Sequence, residues 1–448
     1  MVQRLDHPLA ELIAREKTTA AAYLKRLAAR HRALGFGQLG ARKEKLTRWK
    51  SGIEPEICAQ LAMADLHGID PEEVYRRPWP DWLRLALRDE RTFWELPWTP
   101  AGTVEALQDA GGPVDRRGFV IATLGTLTTT GAHWASTTPT HAASLSGRRI
   151  GAEAARLFEE RLETLRRLDD TLGSRHAYDA ATAELQLLTG VLKNHSYNEN
   201  TARRLYAAAA ETARLAGWCA YDSGNLATAE KRFVTALRAS ATCGDATVGA
   251  SALAFWANLR YTASDPHGAL GLIERGLDQR HKITSPRVIA MLHARQARAH
   301  STAGEATAAY RSIDAAFTAY SHAGPAEHDL PSMYWMTHGE CHEVAASCAL
   351  SLGEPRRALE HFDAALCHDD PYDTTTEARG AGIYLARQAE AHLALGDLDA
   401  AVDIAHQALG LLGGIGSTRS TTTLTGLRNQ LTKHRQAAAV AGFLELTM

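Results

Sequence analysis

A register of small residues recurs through the second half of the chain and constrains its fold more than any other feature. Five alanines anchor it, and seven residues after each anchor stands Ala or Gly, followed directly by Leu or Phe. Four residues after the anchor the chain carries Phe, Ile or Ala. Apolar positions at i, i+4, i+7 and i+8 are typical of one face of a helix. The register therefore predicts five helices of one kind, anchored at Ala229, Ala269, Ala309, Ala358 and Ala401.

A second helix is predicted before each of these five. Five residues before each anchor stands Gly, or Ser in one unit, and a polar residue follows it. This combination indicates the end of one helix and the start of the next. Twelve residues before each anchor the chain again has a small residue, where two helices must approach closely. These residues are Gly217, Ala257, Ala297, Ala346 and Ala389.

Small residues at these three positions, with a large apolar residue between them, resemble the tetratricopeptide repeat. The anchors are 40, 40, 49 and 43 residues apart, more than the usual repeat of about 34, so we expect longer helices or loops. The resemblance implies a right-handed α-solenoid with a concave binding face. Helices at 152–172, 177–193 and 199–215 are expected to continue the stack. An ordinary helical bundle is the alternative.

The same resemblance indicates which side chains line the groove, because residues one and four after the small residue of each first helix point inward. In the first three units they form an aromatic, amide and guanidinium cluster, which could bind an extended peptide through its backbone, carboxylate and side chains. Packing between helices is the alternative. The candidate ligand-binding residues are Trp218, Tyr221, Asn258, Tyr261, Arg298 and Ser301.

The formal net charge of −2 hides a strong asymmetry along the chain. Residues 1–50 contain 12 Lys and Arg against 4 Asp and Glu, and the other 398 residues carry a net charge of −10. Such a division is typical of a chain that presents one end to a polyanion.

The basic residues concentrate between Ala41 and Gly52. On a helix, Leu46 and Trp49 lie three residues apart and face inward, which leaves the basic residues around them on the outer side. Phosphates and guanine edges accept hydrogen bonds from cations and other donors. A solvated basic face without a ligand is the alternative.

Leu46, Thr47, Arg48, Trp49 and Gly52 resemble the end of the recognition helix in the phage-repressor (Xre-like) helix-turn-helix family. Residues 7–75 look like such a domain, although the turn Ala33–Gly40 is longer than usual. The resemblance implies a helix in the DNA major groove. It assigns Arg42, Lys43 and Arg48 to base edges or nearby phosphates. Thr47 lies on the same outer face, and the backbone contacts go to Lys45, Lys50, Lys25 and Arg32.

The chain is thus predicted to be all-α and to have three parts. Residues 1–77 form the helix-turn-helix domain, 78–151 a Pro/Trp-rich and Thr-rich connector, and 152–448 the repeat domain. The uncharged stretch 118–147 has too many threonines for a membrane span. No spacing typical of a catalytic or metal site is present, so we expect no enzymatic activity and no cofactor.

The joint architecture resembles the peptide-sensing (RRNPP-type) bacterial transcription regulators. This implies a cytoplasmic homodimer that binds double-stranded DNA and responds to a peptide, a small molecule or a protein partner. The alternative is a tetratricopeptide scaffold or antagonist that binds a protein partner and has only nonspecific affinity for DNA.

Overall fold

A computed structural model describes the chain over residues 7–16, 18–40, 42–69, 71–76, 79–86, 93–111, 122, 124–138, 143–144, 147–367, 377–413 and 416–446. The described residues fall into two compact units. The first extends to Leu96, and the second begins at Pro97.

Short helices around one apolar core form the first unit. Thr19 begins the second helix, because its hydroxyl accepts a hydrogen bond from the backbone N–H of Ala22 at 3.2 Å. A short 3₁₀ helix at Asp81–Ala86 adds Trp82 to the core. The α-helices are α1 (Pro8–Arg15), α2 (Ala20–Ala33), α3 (Lys43–Lys50), α4 (Ile57–Leu66) and α5 (Pro71–Arg76).

Helix pairs dominate the second unit, and two further helices precede them. Most of its helices are longer than those of the first unit, and their bounds are as follows: α6 (Pro100–Gly111), α7 (Leu124–Ser136), α8 (Ala152–Leu172), α9 (Ser174–Asn194), α10 (Glu199–Asp222), α11 (Leu226–Cys243), α12 (Ala246–Thr262), α13 (Pro266–Asp278), α14 (Pro286–Thr302), α15 (Ala306–Tyr320), α16 (His338–Ser351), α17 (Pro355–Leu366), α18 (Ala378–Ala394), α19 (Leu398–Leu412), α20 (Thr418–Leu431) and α21 (Ala438–Leu446).

The sequence register coincides with five stacked helix pairs, α10/α11 to α18/α19. In every pair the small residue lies on the first helix and the anchor alanine on the second, and all of them are buried. The first helix of each pair also contacts the first helix of the next. The second unit is therefore a tetratricopeptide-like stack of helical hairpins. Two of the expected helices are longer than predicted: 177–193 is observed as Ser174–Asn194, and 199–215 continues through Gly217 to Asp222.

Each turn within a pair has a residue with a left-handed backbone at the predicted position. The φ angles are 81° at Gly224, 65° at Ser264, 78° at Gly304, 79° at Gly353 and 82° at Gly396. Glycine adopts this conformation without the steric cost of a Cβ atom, so four of the five positions are glycine. The polar residue that follows begins the next helix. At Asp265, for example, the side chain accepts a hydrogen bond from the backbone N–H of Gly268 at 2.9 Å.

Two features explain the long repeat spacing. The helices exceed the usual length, and the largest spacing spans residues 321–337, which join α15 to α16 through two short 3₁₀ turns at Ala326–His328 and Pro331–Met333. A two-residue parallel strand pair, β1 (Arg148–Arg149) with β2 (His195–Ser196), is an element that the sequence did not predict.

The predicted boundaries at residues 77 and 151 stay predictions, and the described residues between them divide between the two units. Trp82 and Leu83 are buried in the core of the first unit, whereas α6 and α7 pack on α11 in the second. In the part of the chain that is described, no helix combines the length and apolar content needed to cross a membrane.

Candidate functional site

Helix α3 is amphipathic and is held by its two apolar side chains. Leu46 and Trp49 are buried in the core of the first unit, as the spacing predicts. Their helix packs against α1 and α2, so its opposite face turns to solvent. Ile57 is exposed at the start of α4.

Most of the predicted DNA-binding side chains lie on this solvent face. Arg42, Lys43, Thr47 and Arg48 are exposed, whereas Lys45 and Lys50 are half-buried. The Thr47 hydroxyl donates to the carbonyl of Lys43 at 3.3 Å. Within the described residues, none of these five cations forms an ion pair, so their charges are available to an anionic partner.

Helix α2 contains cations of two kinds. Arg26 donates to Glu16 at 2.8 Å, and the Arg30 guanidinium binds both oxygens of Asp65, so these two arginines hold the first unit together. Lys25 and Arg32 are exposed and have no acidic partner among the described residues. The two predicted backbone contacts are therefore distinct from the structural arginines beside them.

A cavity of about 810 Å³ lies within the helical repeats of the second unit. Five of the six predicted ligand-binding residues line it: Trp218, Tyr221, Asn258, Tyr261 and Arg298. Ser301 does not line the cavity, but its hydroxyl accepts a hydrogen bond from Arg298 at 3.4 Å. The structure thus brings the predicted residues together and leaves their role as ligand contacts a prediction.

Aromatic rings form one wall of this cavity. Trp218 meets Phe255 edge to face with ring centroids 5.2 Å apart, and Phe255 meets Trp335 at 5.9 Å. The hydroxyl of Tyr221 donates to the side-chain oxygen of Asn258 at 3.2 Å. Trp335 comes from the long connection between α15 and α16, which carries no repeat signal, and so the sequence did not identify it.

Paired charges surround one end of the cavity. Glu211 on α10 accepts from Arg166 at 3.0 Å and from Arg214 at 3.1 Å. Burial opposes ionisation of Glu211, yet the charges of Arg214 and Arg166 hold its pKa below the ordinary value. The guanidinium of Arg214 also lies over the Phe255 ring, 4.4 Å from its centroid. These contacts fix the two arginines in place.

Arg379 joins the two ends of the stack. It lies on α18, and its guanidinium contacts Asp169 on α8 at 2.8 Å and Asp222 on α10 at 3.4 Å. Burial disfavours the Asp169 anion, but Arg379 and the hydrogen bond from Ser174 lower its pKa overall. Asp222 also accepts from Ser417 at 3.0 Å. We call this group the Arg379 clasp; it closes one side of the cavity.

A second contact closes the cavity beside the clasp. The hydroxyl of Tyr334, from the connection between α15 and α16, donates to Asp170 on α8. Burial raises the pKa of Asp170 to about 6, although this hydrogen bond acts in the opposite direction. Tyr334 and Asp170 are 164 residues apart in sequence, and no local pattern indicates their contact.

Comparisons with known proteins leave the family open. No protein-family model matches the chain, and no curated protein matches it. A solved structure of a monomeric IFIT1 mutant with m7Gppp-AAAA is 14% identical, with a TM-score of 0.36, over 97% of this chain and 83% of that one. The human IFIT1 dimer with m7Gppp-AAAA has the same identity and TM-score over 86% and 80%. At this TM-score neither protein indicates the fold or function of this chain.

Proposed function

We propose that this chain is a sequence-specific DNA-binding regulator without enzymatic activity. Its first unit reads double-stranded DNA through α3, and its helical repeats form a homodimer and sense a signal in their cavity. The observation that carries the proposal is the solvent face of α3, where Arg42, Lys43 and Arg48 are exposed and unneutralised by any described carboxylate. Leu46 and Trp49 hold that face outward from a packed core.

In this proposal α3 enters the major groove. Arg42, Lys43 and Arg48 contact base edges or nearby phosphates, because a guanidinium can donate two hydrogen bonds to one guanine. The remaining cations contact the DNA backbone and contribute affinity without sequence preference. They are Lys45, Lys50, Lys25 and Arg32.

Two copies joined through the repeats would present two such helices to half-sites about 34 Å apart, one turn of the double helix. A ligand in the cavity would shift the population of dimers with this spacing. The proposal therefore predicts operators with two-fold symmetry and a dimer in sedimentation experiments on the purified full chain.

The test begins with fragments that the protein selects from genomic DNA of its source. Fluorescence anisotropy would then compare a selected fragment with a scrambled one at several salt concentrations. Because six or more phosphates are contacted, we expect affinity to fall by roughly 10³-fold or more between about 50 and 200 mM salt. Arg48→Ala should remove most of the preference for the selected fragment, by about 1–3 kcal/mol if it contacts guanine.

Arg311→Ala is the matched control, since it removes the same charge from an exposed position on α15 in the other unit. It should change neither affinity nor sequence preference. Equal affinity for selected and scrambled DNA in the unmodified protein would refute sequence-specific reading. That result, together with a strong salt dependence, would favour the scaffold with nonspecific DNA affinity.

A further inference from the structure

Seven described arginines line the cavity, and four of them form ion pairs with described acidic residues. Arg166, Arg214, Arg379 and Arg419 line the cavity, and each forms an ion pair within 4.0 Å. Arg298 and Arg387 also line it, but neither forms an ion pair with a described residue. The positive charge of the cavity is therefore paired directly at the clasp, whereas Glu390 acts on Arg298 and Arg387 without forming an ion pair with either.

Arg298 is held in place by neutral groups only. Its guanidinium donates to the backbone carbonyl of Ser347 at 2.6 Å and to the hydroxyl of Ser351 at 3.0 Å. It is 92% buried, as its exposed fraction is 8%. A buried cation is costly unless an anion accompanies it, and carbonyl and hydroxyl oxygens satisfy its hydrogen bonds without neutralising its charge.

Arg387, on α18, adds a second charge to the same cavity. Burial lowers the pKa of its guanidinium and repulsion from Arg298 lowers it further, while the charge of Glu390 acts in the opposite direction. The neighbouring carboxylates have other donors: Glu390 accepts from Gln430 at 3.0 Å, and Glu340 accepts from the hydroxyl of Tyr384 at 2.9 Å. Two like charges that line one cavity suit an anion that bridges them.

Aromatic surface continues directly from this pair. The Arg298 guanidinium lies 5.9 Å from the centroid of the Tyr261 ring. Arg295 donates to the Tyr261 hydroxyl at 3.5 Å and lies 5.5 Å from the Trp335 ring centroid. Trp335 in turn meets Phe255. A ligand bound at the two arginines would therefore have flat apolar surface beside its anionic group.

We propose that the cavity binds a small molecule with a carboxylate or phosphate group on an aromatic frame, the anion between Arg298 and Arg387 and the frame against Tyr261, Trp335 and Phe255. A volume of about 810 Å³ falls in the range of small-molecule sites. The Arg379 clasp closes one side of the cavity, so an extended peptide that continued past this side would have to break buried ion pairs. This inference rests on the sensing role in the proposed function and names its ligand class.

The test uses the full chain without DNA, so it can fail independently of the DNA-binding experiment. Isothermal titration calorimetry would compare 1-naphthyl phosphate, 1-naphthylacetate, inorganic phosphate and the uncharged 1-naphthaleneethanol. We expect the two naphthyl anions to bind roughly tenfold or more tightly than the alcohol, because charged hydrogen bonds require the anion. The preference between phosphate and carboxylate identifies the anionic group.

Arg387→Gln is the decisive variant, because Arg387 makes no hydrogen bond with another described residue. The substitution therefore removes no hydrogen bond on which folding depends. It should weaken naphthyl-anion binding roughly tenfold or more, with little change in the melting temperature of the free protein, since repulsion from Arg298 and attraction to Glu390 are lost together. Arg387→Lys keeps the charge and should retain part of the affinity. Arg356→Gln, at an exposed position on α17, is the control and should bind as the unmodified protein does.

Three results would overturn the inference. The first is that the alcohol binds with the same affinity as the naphthyl anions, or that neither the alcohol nor the anions bind at a concentration of about 1 mM, which corresponds to weak association. The second is unchanged anion binding by Arg387→Gln. The third is tighter binding of acidic heptapeptides than of either naphthyl anion, which would make the ligand a peptide.

Discussion

Replacement of Arg379 by methionine tests whether the clasp holds the helical repeats closed. Methionine keeps a long side chain but leaves Asp169 and Asp222 without their shared cation, in a place where Arg379 itself is 9% exposed and Asp222 is fully buried. Removal of one partner from a buried ion pair costs about 3–5 kcal/mol. The loss of the 2.7 Å hydrogen bond to Ser174 adds to this cost. We therefore expect Arg379→Met to lower the free energy of unfolding at pH 7.5 by an amount in the upper part of that range.

The pH dependence separates this cause from simple loss of packing. In the unmodified protein the pKa of Asp169 lies below its ordinary value, so this group contributes stability above about pH 4. In Arg379→Met burial should raise the pKa of Asp169, so the stability of the variant falls as pH rises from about 4 through that raised value. The difference between the two proteins should thus be larger at pH 7.5 than at pH 5.

Urea titrations at both pH values, followed by tryptophan fluorescence, would measure the free energy of unfolding. Arg203→Met is the control, since it removes an exposed ion pair with Glu199 on α10, and it should change stability by less than about 0.5 kcal/mol. A loss below about 1 kcal/mol for Arg379→Met, or one equal at both pH values, would refute the role of the clasp.

Three further substitutions test other parts of the structure. Gly249→Ala should lower the free energy of unfolding by about 1–3 kcal/mol or more in urea titrations, because a Cβ atom there would lie 2.2 Å from the Trp134 indole nitrogen. An unchanged midpoint of the urea titration would contradict this packing. Trp82→Phe should cost about 1–3 kcal/mol, since it leaves the Gln60 oxygen without its 2.9 Å donor, and a neutral result would argue against that bond. Burial and the charge of Glu340 raise the pKa of Glu343 to about 9. The unmodified protein should therefore lose stability as pH rises from about 5 to 9. The melting temperature of Glu343→Gln should increase relative to that of the unmodified protein over the same interval. Parallel curves of melting temperature against pH for the two proteins would exclude Glu343 as the cause of the loss.

Local sequence patterns were sufficient to predict the helix pairs. The small residues Ala257 and Ala269 lie at a close approach of α12 and α13, because only small side chains allow two helix backbones to come so near. The turn between these helices has its left-handed residue at Ser264, where the register places it. Leu46 and Trp49 on α3 follow the same logic, since the spacing of apolar residues on one helix decides which of them face a core.

Contacts across the stack had no such local signal. Tyr334 and Trp335 reach the cavity from a connection that lies outside the repeat register, and their positions depend on how far the helix pairs turn around the axis of the stack. That turn is the sum of small rotations between neighbouring pairs. A sequence register specifies which residues face a neighbouring helix but leaves this accumulated angle undetermined.

Two arginines at equivalent repeat positions show what this leaves open. Arg287 and Arg379 each stand ten residues before the small residue of their unit, Ala297 or Ala389, and both are buried. Arg287 pairs with Asp329 at 3.2 Å, in the connection that follows its own helix pair. Arg379 pairs instead with carboxylates 157 and 210 residues away. Repeat position therefore predicts that an arginine is buried. Which carboxylate it pairs with depends on how the distant helices of the stack come together. That pairing in turn decides whether the charge stabilises the fold or is left for a ligand.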